Sequence, residues 1–401
     1  MPNRVAIVGA GIGGLATAIA LRRAGIAVEV YEAHANPAKN ADDAFLSLAA
    51  NGLRALDNIG CRELVVDHGF AVPTITLWSG RAKPLGTMPF AGSEYDELAG
   101  LTIGRGRMVS TLIERARGLG VPVNTGKRLV NATPTAHGVV ARFIDGSEVE
   151  SDVLIGADGI HSALRSIIDP DAPAPRYTGL FGFGGRANPP VHIAPSEFNM
   201  VFGKRAFFGY TREPGGQTWW FANVPAAPEP TRDELAAVSP TEWKRRLIEL
   251  FADDATPAAE IISATEHDLH PRISQLVPHV PTWHRDGMLI IGDAAHCASP
   301  SSGQGASMAI EDAVTVARCL SEAETIPDAL RVFENRRRDR VERVVKHGSR
   351  GARSKTLGPI GRLASEALMP VIFRRMASRR TLGWLYDYDV APTHHPRTSQ
   401  A

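Results

Sequence analysis

Three short stretches of this 401-residue chain carry glycines, acids and hydroxyls whose spacing suits a phosphorylated, sugar-bearing ligand. The first is Gly9-Ala-Gly11-Ile-Gly13-Gly14. In such a G-x-G-x-x-G pattern Gly9 permits a tight turn, Gly11 lets the backbone approach a pyrophosphate, and Gly14 lets a helix pack on the sheet. A helix starting there directs free N–H groups and its positive dipole end at the phosphates. Glu32, with Ala33 beside it, ends the next apolar run. Its carboxylate accepts from ribose hydroxyls and repels a 2′-phosphate, which suits the adenosine end of FAD or NAD and not of NADP.

The second stretch runs from Asp152 to Arg165, with Asp158-Gly159 followed by Ser162 and Arg165. Asp158 is expected to anchor the loop at the cofactor site, and Arg165 to contact a phosphate or a pyridine nucleotide. The third stretch begins Met288-Leu-Ile-Ile-Gly292-Asp293 and includes Pro300, Gly303, Gln304, Gly305 and Ala306. Asp293 stands at a strand's carboxyl end, where ligands of open α/β sheets bind, and can accept from ribityl hydroxyls. Gly303 and Gly305 permit close approach to an isoalloxazine ring. A helix starting near Ala306 would stabilise the negative charge that develops at N1 and the C2 carbonyl on reduction.

These groups need strands and helices to hold them. Arg4–Val8 and Ala27–Tyr31 read as strands around a helix over 15–24, and Met288–Ile291 as a strand returning to the same sheet. A short helix is expected after Asn51, a hairpin over 72–90, a helix after Arg105, and strands at Val121–Asn124 and Val139–Phe143 that return to a sheet. Residues 170–230 are rich in Pro, Gly and aromatics, with strand-like runs at Phe198–Phe202, Arg205–Tyr210 and Gln217–Ala222. Helices follow at 231–251, 306–320 and over most of 328–385. The fold class is therefore α/β, a Rossmann-type FAD-binding domain with an inserted, mostly antiparallel β substrate domain and C-terminal helices. The expected division is 1–71, 100–175 and 270–340 for the FAD-binding domain, 72–99 and 176–269 for the substrate domain, and 341–401 for a helical C-terminal region.

Composition narrows the function. With 44% apolar and 22% charged residues and a net charge of +1, nothing recruits nucleic acid or an acidic membrane surface. The basic run Arg336–Arg338 with Arg340 and Arg343 alternates with Glu334, Asp339 and Glu342, and reads as the solvated face of a helix. Three cysteines, Cys61, Cys297 and Cys319, lack metal-ligand spacing and point to a reducing compartment. The first strand starts too early for a signal peptide and no apolar run reaches the ~18 residues of a membrane span, so a cytoplasmic location is expected. Glu266-His267-Asp-Leu-His270 lacks a complete ligand set, and no metal is expected. His296 and Cys297 have no partner acid or base at fixed spacing and are read as structural.

In this order, the glycine turn with Glu32, the Asp158-Gly159 motif and Gly292-Asp293 resemble the single-component FAD-dependent aromatic hydroxylases, most closely the salicylate hydroxylase-like and urate hydroxylase-like branch. The resemblance covers most of residues 3–345. It implies that Arg105 contacts the flavin nucleotide and that backbone near Leu129 borders the adenine. It also implies that NADH or NADPH reduces the flavin and that dioxygen then forms a C4a-hydroperoxide whose distal oxygen enters an electron-rich ring. One departure is Asp43, where that family commonly has Gly beside the flavin.

The expected substrate is a small aromatic or heteroaromatic molecule, acted on by a monomer or homodimer. Phe207, Phe208, Tyr210, Trp219, Trp220 and Phe221 lie in strands whose alternation sends some side chains to a pocket and others to a core. Phe208, Trp220 and Pro300 are assigned to the pocket, and Arg186 and Tyr210 to orienting or deprotonating a phenol. Two alternatives stay open: a flavin reductase or dehydrogenase that saturates an isoprenoid chain, and a flavin-bearing protein whose redox state gates a partner surface.

Overall fold

The computed structural model describes residues 2–39, 44–277, 279–298, 302–353 and 379–390. Its central sheet has six strands in the order His284–Arg285, Met288–Ile290, Val153–Gly156, Arg4–Val8, Ala27–Glu32 and Val123–Thr125. All neighbours are parallel except the first pair. The inner strands are unbroken apolar runs: Val5 to Val8, Val153 to Ile155 and Met288 to Ile290 are all buried. Parallel sheets demand this, because helices cover both faces. The helix Ile12–Arg23 is buried along Gly14 to Leu21 and packs on the long helix Gly305–Glu322. A helix that is apolar almost all round belongs inside.

The second sheet has seven strands in the order Arg272–Leu276, Arg176–Ala187, Thr218–Pro225, Phe207–Arg212, Glu197–Phe202, Thr74–Ser79 and Pro84–Pro89. Only Glu197–Phe202 and Thr74–Ser79 run parallel. The expected hairpin over 72–90 forms its far edge. One face packs on the helices Pro240–Phe251 and Ala258–Ser263 through Phe181, Phe183, Phe208, Trp243, Leu247 and Phe251. The opposite face carries Ile75, Leu77, Phe198 and Trp219 and meets Phe70 and Phe45. Phe45 begins a two-stranded sheet, Phe45–Leu48 with Leu101–Gly104, that leads directly to Arg105.

The strand expected at Val139–Phe143 forms, as Gly138–Phe143. It pairs with Leu129–Thr135 and Glu148–Ser151 in a separate antiparallel sheet. Its side chains alternate, with Val139, Ala141 and Phe143 buried, as suits a sheet with one wet face. The strand Arg176–Ala187 escaped the sequence reading because Gly179, Gly182, Gly184 and Gly185 dilute its strand signal. Arg272–Leu276 hydrogen-bonds to that strand, so the seven-stranded sheet extends past the expected limit of 269. The expected boundary at 340 falls inside one continuous helix, Ile326–Arg353. Among the described residues no helix is long and apolar enough to cross a membrane.

Candidate active site

The three motifs meet at the carboxyl ends of the central strands. Gly9, with φ +105°, lies so close to the Asp158 turn that a Cβ on it would stand 2.4 Å from the Ala157 carbonyl oxygen. A Cβ on Gly14 would stand 2.0 Å from the Gly9 carbonyl oxygen, the close approach that lets helix 12–23 pack back on its strand. Cβ atoms on Gly13 and Gly292 would fall 3.2 and 3.4 Å from the same Ala309 methyl group. The glycine turn, the Asp158 turn and the Gly292 turn thus touch one another.

Gly11 is different. Its backbone is extended, with φ −78°, and no protein atom lies within 4 Å of where its Cβ would be. Neither strain nor internal packing requires glycine there. The position is open for a phosphate to approach the helix N-terminus. Glu32 is buried at the end of its strand, where one carboxylate oxygen accepts from Ala10 N at 2.7 Å and the other from His34 N at 2.8 Å. A carboxylate has about four lone-pair sites, which leaves capacity for ribose hydroxyls. Asp293 is exposed, and its Oδ1 stands 4.0 Å from the Cβ position of Gly305, the first residue of helix 305–322. Arg105 opens helix Arg105–Gly118, is exposed, and has no side-chain partner among the described residues. These groups fit a flavin dinucleotide laid from Glu32 to the start of helix 305–322.

The aromatic face of the seven-stranded sheet packs on Phe45, Phe70 and Gly104, the residue before Arg105. The strand register puts Arg186 opposite Trp219, Trp219 opposite Thr211, and Gly209 between Phe221 and Met200, all on one face. The Arg186 guanidinium lies 4.1 Å over the Trp219 ring, and no ion-pair partner for it occurs among the described residues. Phe45 and Phe70 meet Trp219 edge-on, at 5.7 and 5.5 Å.

Residues 3–348 match the family described as FAD binding domain. The chain belongs to that family. It is a FAD-dependent monooxygenase of the aromatic-hydroxylase type. It is similar to an aurachin C monooxygenase/isomerase from Stigmatella aurantiaca, 30% identical over 89% of this chain and 89% of that protein. It is equally similar to a FAD-dependent urate hydroxylase from Klebsiella pneumoniae, 30% identical over 84% of this chain and 87% of that one. The structure of Klebsiella pneumoniae HpxO complexed with FAD and uric acid shares the fold. Its TM-score is 0.83 at 24% identity, covering 95% of this chain and 97% of that one.

Several sequence assignments need correction on this monooxygenase. Phe208, Trp220 and Tyr210 lie on the helix-backed face of the sheet, away from the cradle. Phe208 and Trp220 are fully buried and stacked at 5.5 Å, and Trp220 Nε1 donates to Thr265 Oγ1 at 3.0 Å. Burial, with Glu197 nearby, pushes the Tyr210 phenol up to about 12, which is wrong for a base. The register reason is simple: side chains alternate, so Trp219 and Phe221 face the cradle and their neighbours cannot. Arg186 keeps its place on the cradle side.

The Asp158 motif braces the fold. Its carboxylate accepts from Ser162 Oγ at 2.5 Å and from Ala163 N and Leu164 N at 2.8 and 3.2 Å, which caps helix Ala163–Ile168. Arg165 is 3% exposed and donates to the Ala294 and Ile160 carbonyls at 3.0 and 2.7 Å. It ties two of the motifs together and does not reach for a phosphate. Gln304 turns inward, accepting from Asn51 Nδ2 at 2.9 Å, so only its backbone faces the cradle. Leu129 is buried in the main core, while Gly303 is exposed and Ala33 and Ala306 half-buried. Pro300 and Asp43 lie outside the described residues. Burial, then Asp293, pushes the Cys297 thiol up to about 12, so no thiolate forms at neutral pH. Among the described residues no group of three or more His, Cys, Asp or Glu side chains could hold a metal ion.

Behind the Gly292 turn lies a buried ionic cluster that the sequence reading missed. Asp312 accepts from His296 Nε2 at 2.6 Å, Gly292 N at 2.9 Å and Arg337 Nε at 2.7 Å. Glu311 pairs with Arg337 at 2.7 Å and Arg340 at 2.9 Å, and accepts from Asn51 Nδ2 at 2.6 Å. Burial pushes the Asp312 carboxyl up, but the charges and hydrogen bonds of His296 and Arg337 outweigh it and hold the group down at about 2. Arg340 also donates to the Trp384 and Leu385 carbonyls, docking the helix Arg379–Tyr386 on the same cluster. The basic run is therefore no solvated face at Arg337 and Arg340. The detectable signal was the stripe Phe333, Arg337, Arg340, Val341, Val344, which puts two cations in a buried helical face.

Proposed function

We propose that this monooxygenase hydroxylates a planar aromatic or heteroaromatic small molecule, taking electrons from NADH or NADPH and oxygen from O2. The observation that carries this reading is the aromatic cluster of Phe45, Phe70, Phe198, Trp219 and Phe221, with Arg186 set against it, packed beside Gly104 where the chain enters the Arg105 helix. Flat rings stack or meet edge-on there, and the apolar surface excludes water from the reacting centre. The urate hydroxylase that this chain resembles is named for a heteroaromatic substrate, which agrees with that cluster.

Bound FAD supplies the oxygen activation. The protein's residues do the rest. Gly9, Gly11, Gly13 and Gly14 with the N-terminus of helix 12–23 take the pyrophosphate, assisted by Arg105. Glu32 takes the adenosine ribose beside Ala33, and Asp293 the ribityl chain. The backbone from Gly303 to Ala306 and the N-terminus of helix 305–322 would border the isoalloxazine ring and favour negative charge on it. Arg186 orients an electron-rich or anionic ring.

Two measurements test this. Purified holoenzyme given NADH or NADPH and a panel of ring compounds under 18O2 should oxidise the pyridine nucleotide faster with some of them and release product carrying 18O. Product without label, or saturation of a double bond instead, sinks the reading and favours a reductase. Gly11→Ala should fold as the parent does, since its Cβ meets no protein atom, yet bind FAD at least tenfold more weakly, the effect of about 1.4 kcal/mol. Unchanged FAD affinity would move the pyrophosphate elsewhere.

A further inference from the structure

We propose that Asn51, on the helix Ala50–Asn58, is a positioning residue for flavin reduction: by holding the Gln304 side chain it sets the direction in which helix 305–322 presents its first N–H groups to the isoalloxazine ring. The proposal rests on the reading above that this first turn borders the ring.

Gln304 is the N-cap residue of helix 305–322, yet its buried side chain turns into the protein and does not cap the helix. The first bond inside the helix runs from Met308 N to the Gln304 carbonyl at 2.8 Å, so the N–H groups of Gly305, Ala306 and Ser307 have no partner within it. These are the groups that a negative charge beside the helix start meets. The amide of Asn51 governs where they point. Its Nδ2 donates to Gln304 Oε1 at 2.9 Å and to Glu311 Oε1 at 2.6 Å, which ties the N-cap residue to a side chain two turns further along the same helix. Burial pushes the Glu311 carboxyl up, but Arg337 and Arg340 outweigh it and hold the group below its ordinary value. An ionised carboxylate only accepts, so the nitrogen of Asn51 has to face it.

Both ends of this clamp are anchored. Glu311 pairs with Arg337 at 2.7 Å and with Arg340 at 2.9 Å, and Arg340 is held in turn by the Trp384 and Leu385 carbonyls. The neighbours of Asn51 lock its helix to the same first turn: Ser307 Oγ accepts from Ala49 N at 3.3 Å, and a Cβ on Gly52 would stand 2.4 Å from that oxygen. Packing thus fixes where the two helices start, and the amide bond to Gln304 fixes how the N-cap residue turns. Asn51 Oδ1 is buried without a partner, which costs the fold stability. Joining two helices needs no such group, since an apolar side chain of similar size fills the same space. Only the hold on Gln304 needs the amide.

The test reads the two-electron midpoint potential of the flavin in FAD-saturated protein. Asn51→Leu should make it more negative by about 30 mV, a tenfold change in the reduction equilibrium. Gln304→Met removes the other end of the bond and leaves Glu311 with its arginines, so it should shift the potential equally. The double variant should shift it no further than either single one. A potential that stays at the parent value in Asn51→Leu overturns the proposal, as do single shifts that add in the double variant. Should Asn51→Leu fail to fold or to hold FAD, Gln304→Met decides alone, by the presence or absence of the same shift. Enzyme reconstituted with FAD labelled with 15N at N1 separates the proposal from the reading beneath it. In the parent the N1 resonance of the reduced flavin should lie apart from that of free reduced FAD, and in the variants it should move back. A parent resonance that matches free FAD removes the helix from the ring and takes both readings down. A displaced parent resonance that stays put in the variants takes down the proposal alone.

Discussion

Two buried polar regions flank the cofactor cradle, and they are built on opposite principles. Behind it, Glu311, Asp312, Arg337, Arg340 and His296 bond one another at 2.6–2.9 Å in the interior between helices 305–322 and 326–353. In front of it, Arg186, Trp219 and Thr211 stand in an aromatic wall with their polar atoms unpaired. The first region spends its hydrogen-bonding capacity on the protein and so fixes the Gly292 and Gln304 segments. The second leaves its capacity unused. A saturated cluster holds shape, whereas an unsaturated one costs the fold stability.

Removing one partner from the saturated side leaves buried charges uncompensated, which costs about 3–5 kcal/mol. Asp312→Asn should therefore show the largest effect of any substitution considered. Urea unfolding of the FAD-saturated variant should lose stability of that order, and the Gly292 turn should loosen enough to release flavin on dilution. Trp219→Phe, on the unsaturated side, should leave the urea midpoint nearly in place. Comparable losses at the two sites would erase the distinction.

Acid sharpens the same contrast. The Asp312 carboxyl is held at about 2 in the folded protein, below the ~3.9 of an unfolded chain. A depressed carboxyl contributes stability that is complete above about pH 4 and is lost as pH falls toward 2. The contribution is on the order of 2 kcal/mol. Urea midpoints of the parent, followed from about pH 6 to about pH 3, should drop more steeply at the acid end than those of Asp312→Asn. Parallel slopes would mean that the ionised form of Asp312 is not what the cluster stabilises.

The sequence showed the cradle far better than either flank. Gly9 to Gly14, Glu32 and Asp293 stand out as a local strand-end pattern of glycines and acids at fixed spacing, whereas Arg105 was named only from the family resemblance. The flanks depend on long-range register. Phe208 and Trp220 carry the same residue types as Phe207 and Trp219, and only the pairing of strands 207–212 and 218–225 decides which face each takes. Gly184 and Gly185 hid the strand that fixes Arg186 beside Trp219. The ionic cluster was partly legible. Glu311-Asp312 interrupts an otherwise apolar helix, and acids placed there require cations, but nothing local says that Arg337 and Arg340 supply them.

Arg186 should give the smallest effect and the finest discrimination. Its cation–π contact with Trp219 is worth only about 0.5–2 kcal/mol, and no carboxylate pairs with it among the described residues. Arg186→Met keeps a long apolar stem over the indole while deleting the charge. The urea midpoint should hardly move. If the guanidinium orients an anionic ring, KM for anionic probes should rise severalfold while KM for neutral probes stays put, and kcat should follow only where misplaced rings react poorly. An equal rise for neutral and anionic probes would reduce Arg186 to a packing residue. The unsaturated flank would then hold no group that reads the charge of a ring.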